Sequence, residues 1–435
     1  MRKPLYLLSL VLLSACGNNQ EQKQPKQHTK KTEISYEQVF KSVDSILKLD
    51  NGKFWGKQIY NSILLVNPET REFYANENNT QNSFQSFGEI FKDTLPEKIN
   101  IANTAIDWDG KKWSMIMLPL SEDEISRNNL IIHELFHQLQ SKVGFEGLKE
   151  LNNGHLDSFQ TRLYLKLELE ALEKALLSED SSKRKKHIEN ALIFRKKRQE
   201  NDAIKNAENS LELNEGLAEY TAIMLSGRNH KQMKSHLISS KNDFYENPTF
   251  VRSFAYQTIP FYGYLLSKKL DNWQHHVDSK TNLSDFFKNA FEIKLSEKEL
   301  LNDSEKLALY NYTKIHSEES EREKIRLEKI KKLKTKFIEE PTLELVFENM
   351  GISFDPRNIT PIEDYGTVYP TMRVTDNWGI LTIENGALLA SDWSRVFVSE
   401  PTKIEEKIVE GDGWKLELNP DWKVKKDKEK FILTK

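Results

Sequence analysis

The sequence predicts an α+β protein: a small β-sheet, then a mostly helical middle, then an antiparallel β domain. Three observations carry this. Apolar residues recur at helical spacing through much of residues 121–340. Two strand-like runs, Ile99–Trp108 and Lys111–Leu118, flank Asp109-Gly110, a strong hairpin turn signal. From Pro341 the texture changes to short alternating runs parted by turns such as Glu384-Asn385-Gly386 and Gly411-Asp412-Gly413. At 435 residues the chain is too long for one core of ordinary size, so it divides into parts at 34–120, 121–340 and 341–435.

Ahead of these parts, Arg2 and Lys3 precede an apolar run from Leu5 to Leu13. That run is too short to span a bilayer as a helix but suits the apolar region of a signal peptide. Leu13-Ser14-Ala15-Cys16-Gly17 follows and resembles a bacterial lipobox. The resemblance implies that residues 1–15 are a lipoprotein signal peptide and that Cys16 is lipidated. The chain would then be anchored to a membrane of the bacterial cell envelope, at the outer membrane or cell surface. Residues 16–33 are polar and aperiodic and read as a flexible tether. Cys16 is the only cysteine, which excludes an intramolecular disulfide and a thiolate metal site in the folded part. Lys and Arg number 63 against 66 Asp and Glu, so the basic excess that a nucleic-acid partner requires is missing.

Within 34–120, Ser35–Leu49 reads as a helix, Ser62–Asn67 as a strand, and Asn76–Ser86 as a polar Asn/Gln/Ser-rich segment. Ser121 followed by Glu124 reads as a capping box opening the next helix, and Gly144 as its stop. Ile125, Ile132, Leu135, Phe136, Leu139 and Val143 give that helix a core face. Ser126, Leu130, His133, His137 and Gln140 fall on the neighbouring face.

His133-Glu134-Leu135-Phe136-His137 is a His-Glu-x-x-His motif. Residues four apart share a helix face, so both imidazoles can reach one metal ion. Glu134 then lies beside the ion without being a ligand. Zinc in an open site lowers the pKa of its water to about 7, and a carboxylate can take the proton as the water attacks a carbonyl. One zinc ion per chain is expected. Asn153-Gly154-His155-Leu156-Asp157 could add a further group to the site. Residues 158–209 read as a helical pair, with the basic runs Lys183–Lys186 and Arg195–Arg198 as solvated faces.

A zinc ion held by two His needs a third protein ligand, and Leu213-Asn214-Glu215-Gly216-Leu217-Ala218-Glu219-Tyr220 offers one on a second helix. Here the chain resembles the gluzincins, the peptidase clan of thermolysin and the M1 aminopeptidases. The M1 group carries Asn-Glu-Gly-aromatic-Ala, and Asn214–Ala218 matches it except at Leu217. The resemblance implies a zincin-like catalytic part over 121–340, with Glu215 as the third ligand. It also implies that Glu219 hydrogen-bonds a ligating His. Peptide or protein substrates would be cut with Glu134 as general base. The clan adds a hydroxyl or imidazole donor for the oxyanion; by position Tyr256 is the first candidate and Tyr262 the second. The strand Trp113–Leu118, which feeds the metal helix, would bind an extended substrate by its edge. Seventy-eight positions separate His137 from Glu215, far more than in those families, so the helical pair stands as an insertion. The M1 Gly-x-Met-Glu-Asn segment, which holds a substrate's free amine, is absent, leaving aminopeptidase against endopeptidase open. Two other functions stay open as well: a zinc hydrolase of another amide such as a cell-wall peptide, and a non-catalytic binding lipoprotein.

Further on, Ile325, Leu327, Ile330, Leu333 and Phe337 fit one face of a long charged helix, and His275 and His276 read as surface groups. In the β part the expected strands are Leu343–Phe347, Thr367–Val374, Gly379–Ile383, Val396–Ser399, Trp414–Leu418 and Phe431–Thr434.

Overall fold

The structure is a computed structural model that describes residues 35–295, 300–301, 303–355, 359–427 and 430–435. The signal peptide, Cys16 and the tether expected from the sequence lie outside the described residues. Among the described residues no helix is long and apolar enough to cross a membrane.

Helix α1 (Tyr36–Asp50) starts where Ser35 accepts from the Gln38 amide, and it buries Val39, Phe40, Val43 and Leu47 along one stripe. The sheet that follows has strand order β3-β4-β2-β1-β6-β5. Its members are β1 (Ile63–Val66), β2 (Glu72–Ala75), β3 (Gln85–Phe87), β4 (Ile90–Thr94), β5 (Thr104–Trp108) and β6 (Lys111–Met117). Strand β1 is fully buried and pairs in parallel with β6. The β5–β6 hairpin turns at Asp109 and Gly110, both at positive φ (50° and 78°), as a two-residue turn of matching twist requires. This corrects the edge expected from the sequence: β6 is internal, and β5 carries the free edge. The parallel partner that covers β6 comes from 51 residues upstream, beyond the reach of a local pattern.

Helix α2 (Glu124–Leu139) carries the His-Glu-x-x-His motif. Its cap is Asp123 rather than Ser121: the Asp123 carboxylate accepts from the Ser126 amide at 2.8 Å, while the Ser121 hydroxyl accepts from the Asp123 amide. A carboxylate at this end also suits the helix dipole. A 3₁₀ turn extends the helix to Val143, and Gly144, at φ 96°, ends it as expected.

The expected helical pair is three helices: α3 (Phe159–Leu177), α4 (Ser181–Arg198) and α5 (Asp202–Leu211). Asn201 caps the third by accepting from Ile204 N at 3.0 Å. The Arg195–Arg198 run is a solvated face only at Lys196, with Lys197 half-buried. Arg195 and Arg198 are buried, facing Glu168, Glu208 and Glu212 from three other segments. Two cations out of water need such partners, because unpaired burial costs several kcal/mol per ion. A single π turn (Glu212–Gly216) joins α5 to α6 (Leu217–Leu225), followed by α7 (His230–Tyr245), α8 (Ala255–Leu266) and α9 (Leu283–Ala290). His275 and His276 are exposed as expected. On the long helix Tyr312–Lys334, Ile330 and Leu333 pack with Phe337 against the β part, but Ile325 and Leu327 face solvent with no opposing surface.

The C-terminal part is two packed sheets. One runs in the order β18 (Lys423–Asp427), β19 (Lys430–Thr434), β7 (Thr342–Val346), β14 (Arg395–Ser399), β13 (Ala387–Leu389), β10 (Gly366–Tyr369), β9 (Thr360–Ile362). The other runs β15 (Pro401–Ile404), β16 (Ile408–Gly411), β17 (Trp414–Leu418), β12 (Gly379–Ile383), β11 (Met372–Asp376), β8 (Gly351–Phe354). Leu343, Leu345, Val396, Val398, Val374, Leu381 and Leu416 form the core between them. The pairing is antiparallel except between β7 (Thr342–Val346) and β19 (Lys430–Thr434), which are parallel. The run Thr367–Val374 is two strands in opposite sheets, β10 (Gly366–Tyr369) and β11 (Met372–Asp376), parted at Pro370-Thr371. Val251, just ahead of α8, inserts into the sandwich core and ties this part to the helices.

Candidate metal centre

Helix α2 brings His133 and His137 to one face, with their Nε2 atoms 3.1 Å apart. The π turn supplies the third donor. Glu215 Oε2 lies 3.3 Å from His133 Nε2 and 3.4 Å from His137 Nε2. Such widened turns recur at functional sites because one extra residue re-aims the side chains beyond it. Here Glu212 points toward Arg195 and Thr258, while Glu215 and Glu219 turn toward α2. Gly216 lets α8 close on the turn: a Cβ there would meet Ile259 Cγ1 at 2.5 Å and the Ala255 carbonyl at 3.0 Å. That approach sets Tyr256 over the site, its ring stacked on His133 (centroids 5.3 Å, interplanar 6°) and its hydroxyl donating to Glu215 Oε2 at 2.6 Å.

The donor set fits a tetrahedral zinc ion. Bonds of about 2.0–2.1 Å to nitrogen or oxygen, at tetrahedral angles, put neighbouring donors about 3.3 Å apart. The three observed separations are 3.1, 3.3 and 3.4 Å. These three donors would hold such an ion as one face of a tetrahedron. Among the described residues this is the one group of three such side chains brought together.

Outer hydrogen bonds set the imidazole tautomers. Gln140 Nε2 donates to the Asn214 carbonyl at 2.6 Å, which leaves Gln140 Oε1 to accept from His137 Nδ1 at 2.9 Å. His133 Nδ1 donates to Glu219 Oε2 at 3.0 Å. Both Nδ1 atoms thus hold a proton, so that once the Nε2 protons leave, both Nε2 lone pairs face the centre. Glu219 is held in turn by Asn129 Nδ2 at 3.0 Å, and Arg228 Nη1 donates to Asn129 Oδ1 at 2.6 Å. Sequence reasoning gave no role to Gln140, Asn129 or Arg228. Gln140 had a signal, lying three residues after His137 on the same face. Arg228 is 99 positions from Asn129 and had none.

Charge follows the same geometry. Burial pushes the His133 and His137 imidazoles down, but Glu215, joined by Glu219 at His133, outweighs it and holds both above the usual histidine range. Burial pushes Glu215 up, while the His137 charge and hydrogen bonds from both imidazoles hold it well below the usual carboxylate range. Burial raises Glu134, partly offset by the two histidines. Burial and the Glu215 charge push the Tyr256 hydroxyl far up, so it stays a donor.

The structure assembles His133, Glu134, His137, Glu215, Glu219 and Tyr256 in one place and leaves other candidates out. Tyr262 is buried against Glu168 Oε1 at 3.0 Å, in the ion network beneath the site. His155 bonds Glu208 at 2.9 Å, and buried Asp157 holds Arg162, Thr249 and the Phe250 amide. His133, Glu134 and Tyr256 line a cleft of about 840 Å³ whose far wall is the C-terminal sandwich. Compared with protein-family models, curated proteins and solved structures, the chain gives no match.

Proposed function

We propose that the chain is a gluzincin-type zinc metallopeptidase, lipid-anchored through Cys16 at the bacterial envelope. One observation carries the reading: two imidazole nitrogens and a carboxylate oxygen sit at tetrahedral spacing, tautomers set, with Glu134 beside them in an open cleft. His133, His137 and Glu215 would hold zinc, one ion per chain. When bound, zinc supplies the Lewis acidity that makes water a nucleophile near neutral pH. Glu134, lifted by burial toward neutrality, takes a proton from the attacking water and returns it to the leaving amine. The water oxygen joins the carbonyl carbon, the C–N bond breaks, and a carboxylate and an amine leave. Tyr256, whose hydroxyl donates to Glu215 Oε2 at 2.6 Å at the edge of the same cleft, would be the donor to the developing oxyanion. Glu134 also favours catalysis over plain binding, since a binding module has no use for a base beside the metal.

The test is the full-length protein, solubilised in mild detergent and zinc-loaded, incubated with a mixed peptide digest beside Glu134→Gln. The parent is expected to cut and the variant to bind one zinc without cutting. Cleavage by the variant at the parent's rate, or by the zinc-stripped parent, refutes the assignment.

A further inference from the structure

One face of the helical part carries charge of a single sign. Three segments meet there: residues 46–57 at the end of α1, 226–234 at the start of α7, and 266–276 after α8. The Phe54 carbonyl accepts from Gln274 Nε2 at 2.6 Å and from His275 Nε2 at 2.8 Å. The Phe54, Tyr220 and Trp273 rings pack in a row, with centroids 5.6 and 5.0 Å apart. A Cβ on Gly227 would lie 3.5 Å from Ile46 Cδ1, and Lys268 Nζ donates to His230 Nδ1 at 3.1 Å.

These segments hold eight Lys and Arg against two Asp, in a chain whose net charge is −3. Lys48 and Lys269 pair with Asp44 and Glu292 outside them. Lys53, Lys57, Lys231, Lys234 and Lys268 are exposed and make no ion pair with any described residue. Exposed charge is treated differently on the long helix Tyr312–Lys334, where Glu318, Glu321 and Glu323 answer Lys314, Lys324 and Arg326. Lys231 and Lys234 also stand in the first two turns of α7, where the helix dipole disfavours cations. Burial and the Lys234 charge push the Lys268 ammonium below the usual lysine range. Cations crowded together in this way gain from an anionic surface laid against them. Leu49, between Lys48 and Lys53 in the chain, is 83% exposed, the most of any large apolar side chain among the described residues. Ammonium groups around an apolar side chain match a bilayer interface, where lysines meet phosphates and a leucine enters the acyl boundary.

Resting on the lipid-anchor reading for what brings it to a membrane, we infer that this face docks the folded part on an anionic lipid surface. The segment after Cys16 is basic as well, with Lys23, Lys26, Lys30 and Lys31 against Glu21 and Glu33. Helix α1, rising about 1.5 Å per residue, sets the basic face about 22 Å from Ser35. The 18 residues between Cys16 and Ser35 can cover that span, at up to about 3.3 Å each.

The experiment sediments the mature chain carrying Cys16→Ser, so that no lipid holds it, with vesicles of phosphatidylglycerol or of phosphatidylcholine. Binding to phosphatidylglycerol alone is expected, weakening as salt screens the charges. Lys231→Gln with Lys234→Gln should weaken it by about 25-fold, about fivefold for each lysine beside an anionic bilayer. Lys423→Gln with Lys425→Gln on β18 should leave it unchanged. All four lysines are exposed, and an unchanged melting temperature confirms that each variant is folded. No binding to phosphatidylglycerol, equal binding to both lipids, or the same loss from both lysine pairs overturns the inference. Binding instead to a soluble acidic polypeptide through Lys231 and Lys234 would put a protein partner in the membrane's place. Mass spectrometry of the native protein reads the lipid on Cys16 separately. A native protein without lipid removes the anchor and leaves the face standing if the Cys16→Ser chain still binds. A lipidated protein whose Cys16→Ser chain does not bind removes the face and keeps the anchor.

Discussion

Replacing Glu219 by Gln exchanges one oxygen for an amide nitrogen, yet the surrounding hydrogen bonds predict a large loss of zinc affinity. Arg228 has no acceptor, so Asn129 must turn its oxygen to Arg228 and its amide to residue 219. Residue 219 must therefore accept from Asn129, which a Gln does with its only oxygen. The Gln amide then faces His133 Nδ1, an atom that now donates to Glu219 Oε2 at 3.0 Å. Two donors cannot share that contact. The imidazole resolves it by moving its proton to Nε2, the lone pair that should face the ion. Loss of such an outer partner costs about 10–100-fold in metal affinity, or about 1.4–2.8 kcal/mol. A competition titration against a chromophoric zinc chelator reads this directly. Adding Asn129→Leu frees the Gln to rotate its oxygen to His133, and part of the affinity should return. A Glu219→Gln protein with the parent's zinc affinity would refute the tautomer argument and the role given to Glu219.

Arg195→Met should destabilise the zinc-free protein by about 3–5 kcal/mol in urea unfolding, because Glu168 and Glu212 would be left buried without it. A midpoint within error of the parent's would mean that the pair contributes nothing. Zinc binding should strengthen as pH rises, since Glu215 and Glu219 outweigh burial and hold His133 well above its ordinary 6.5, and zinc must displace that proton. In the zinc-free protein the same shift adds stability that is complete below about pH 6.5 and is lost as pH rises through the raised folded value. The gap in melting temperature between zinc-loaded and zinc-free protein should thus widen with pH; a gap that narrows would contradict the shift.

How much could be read from residues alone tracks how far apart the cooperating residues lie. The α+β order and the β5–β6 hairpin were legible because alternation, helical spacing and Asp109-Gly110 are short-range signals. The triad was legible because His133 and His137 are one helical turn apart and Glu215 sits in a short motif of its own. What was misread depends on distant partners. Nothing around β6 announces that β1 will cover its edge, and nothing near Asn129 announces Arg228. The Arg195–Arg198 run looks solvated by charge alone; its burial is visible only with Glu168, Glu208 and Glu212 in view.

That misread run bears on the oddest feature of the sequence, the long gap between the ligand helices. Residues 158–209 do not simply lengthen the connection. They contribute Glu168, Arg195 and Arg198, and Arg195 grips both carboxylate oxygens of Glu212 at the start of the π turn. Thr258, two residues after Tyr256, donates to the same Glu212 carboxylate at 2.6 Å. One buried carboxylate thereby joins the turn that carries Glu215 to the helix that carries Tyr256. A π turn costs helix regularity and needs outside support to persist. Residues 158–209 supply it, so the segment that lengthens the gap between α2 and the π turn braces the candidate metal site from beneath.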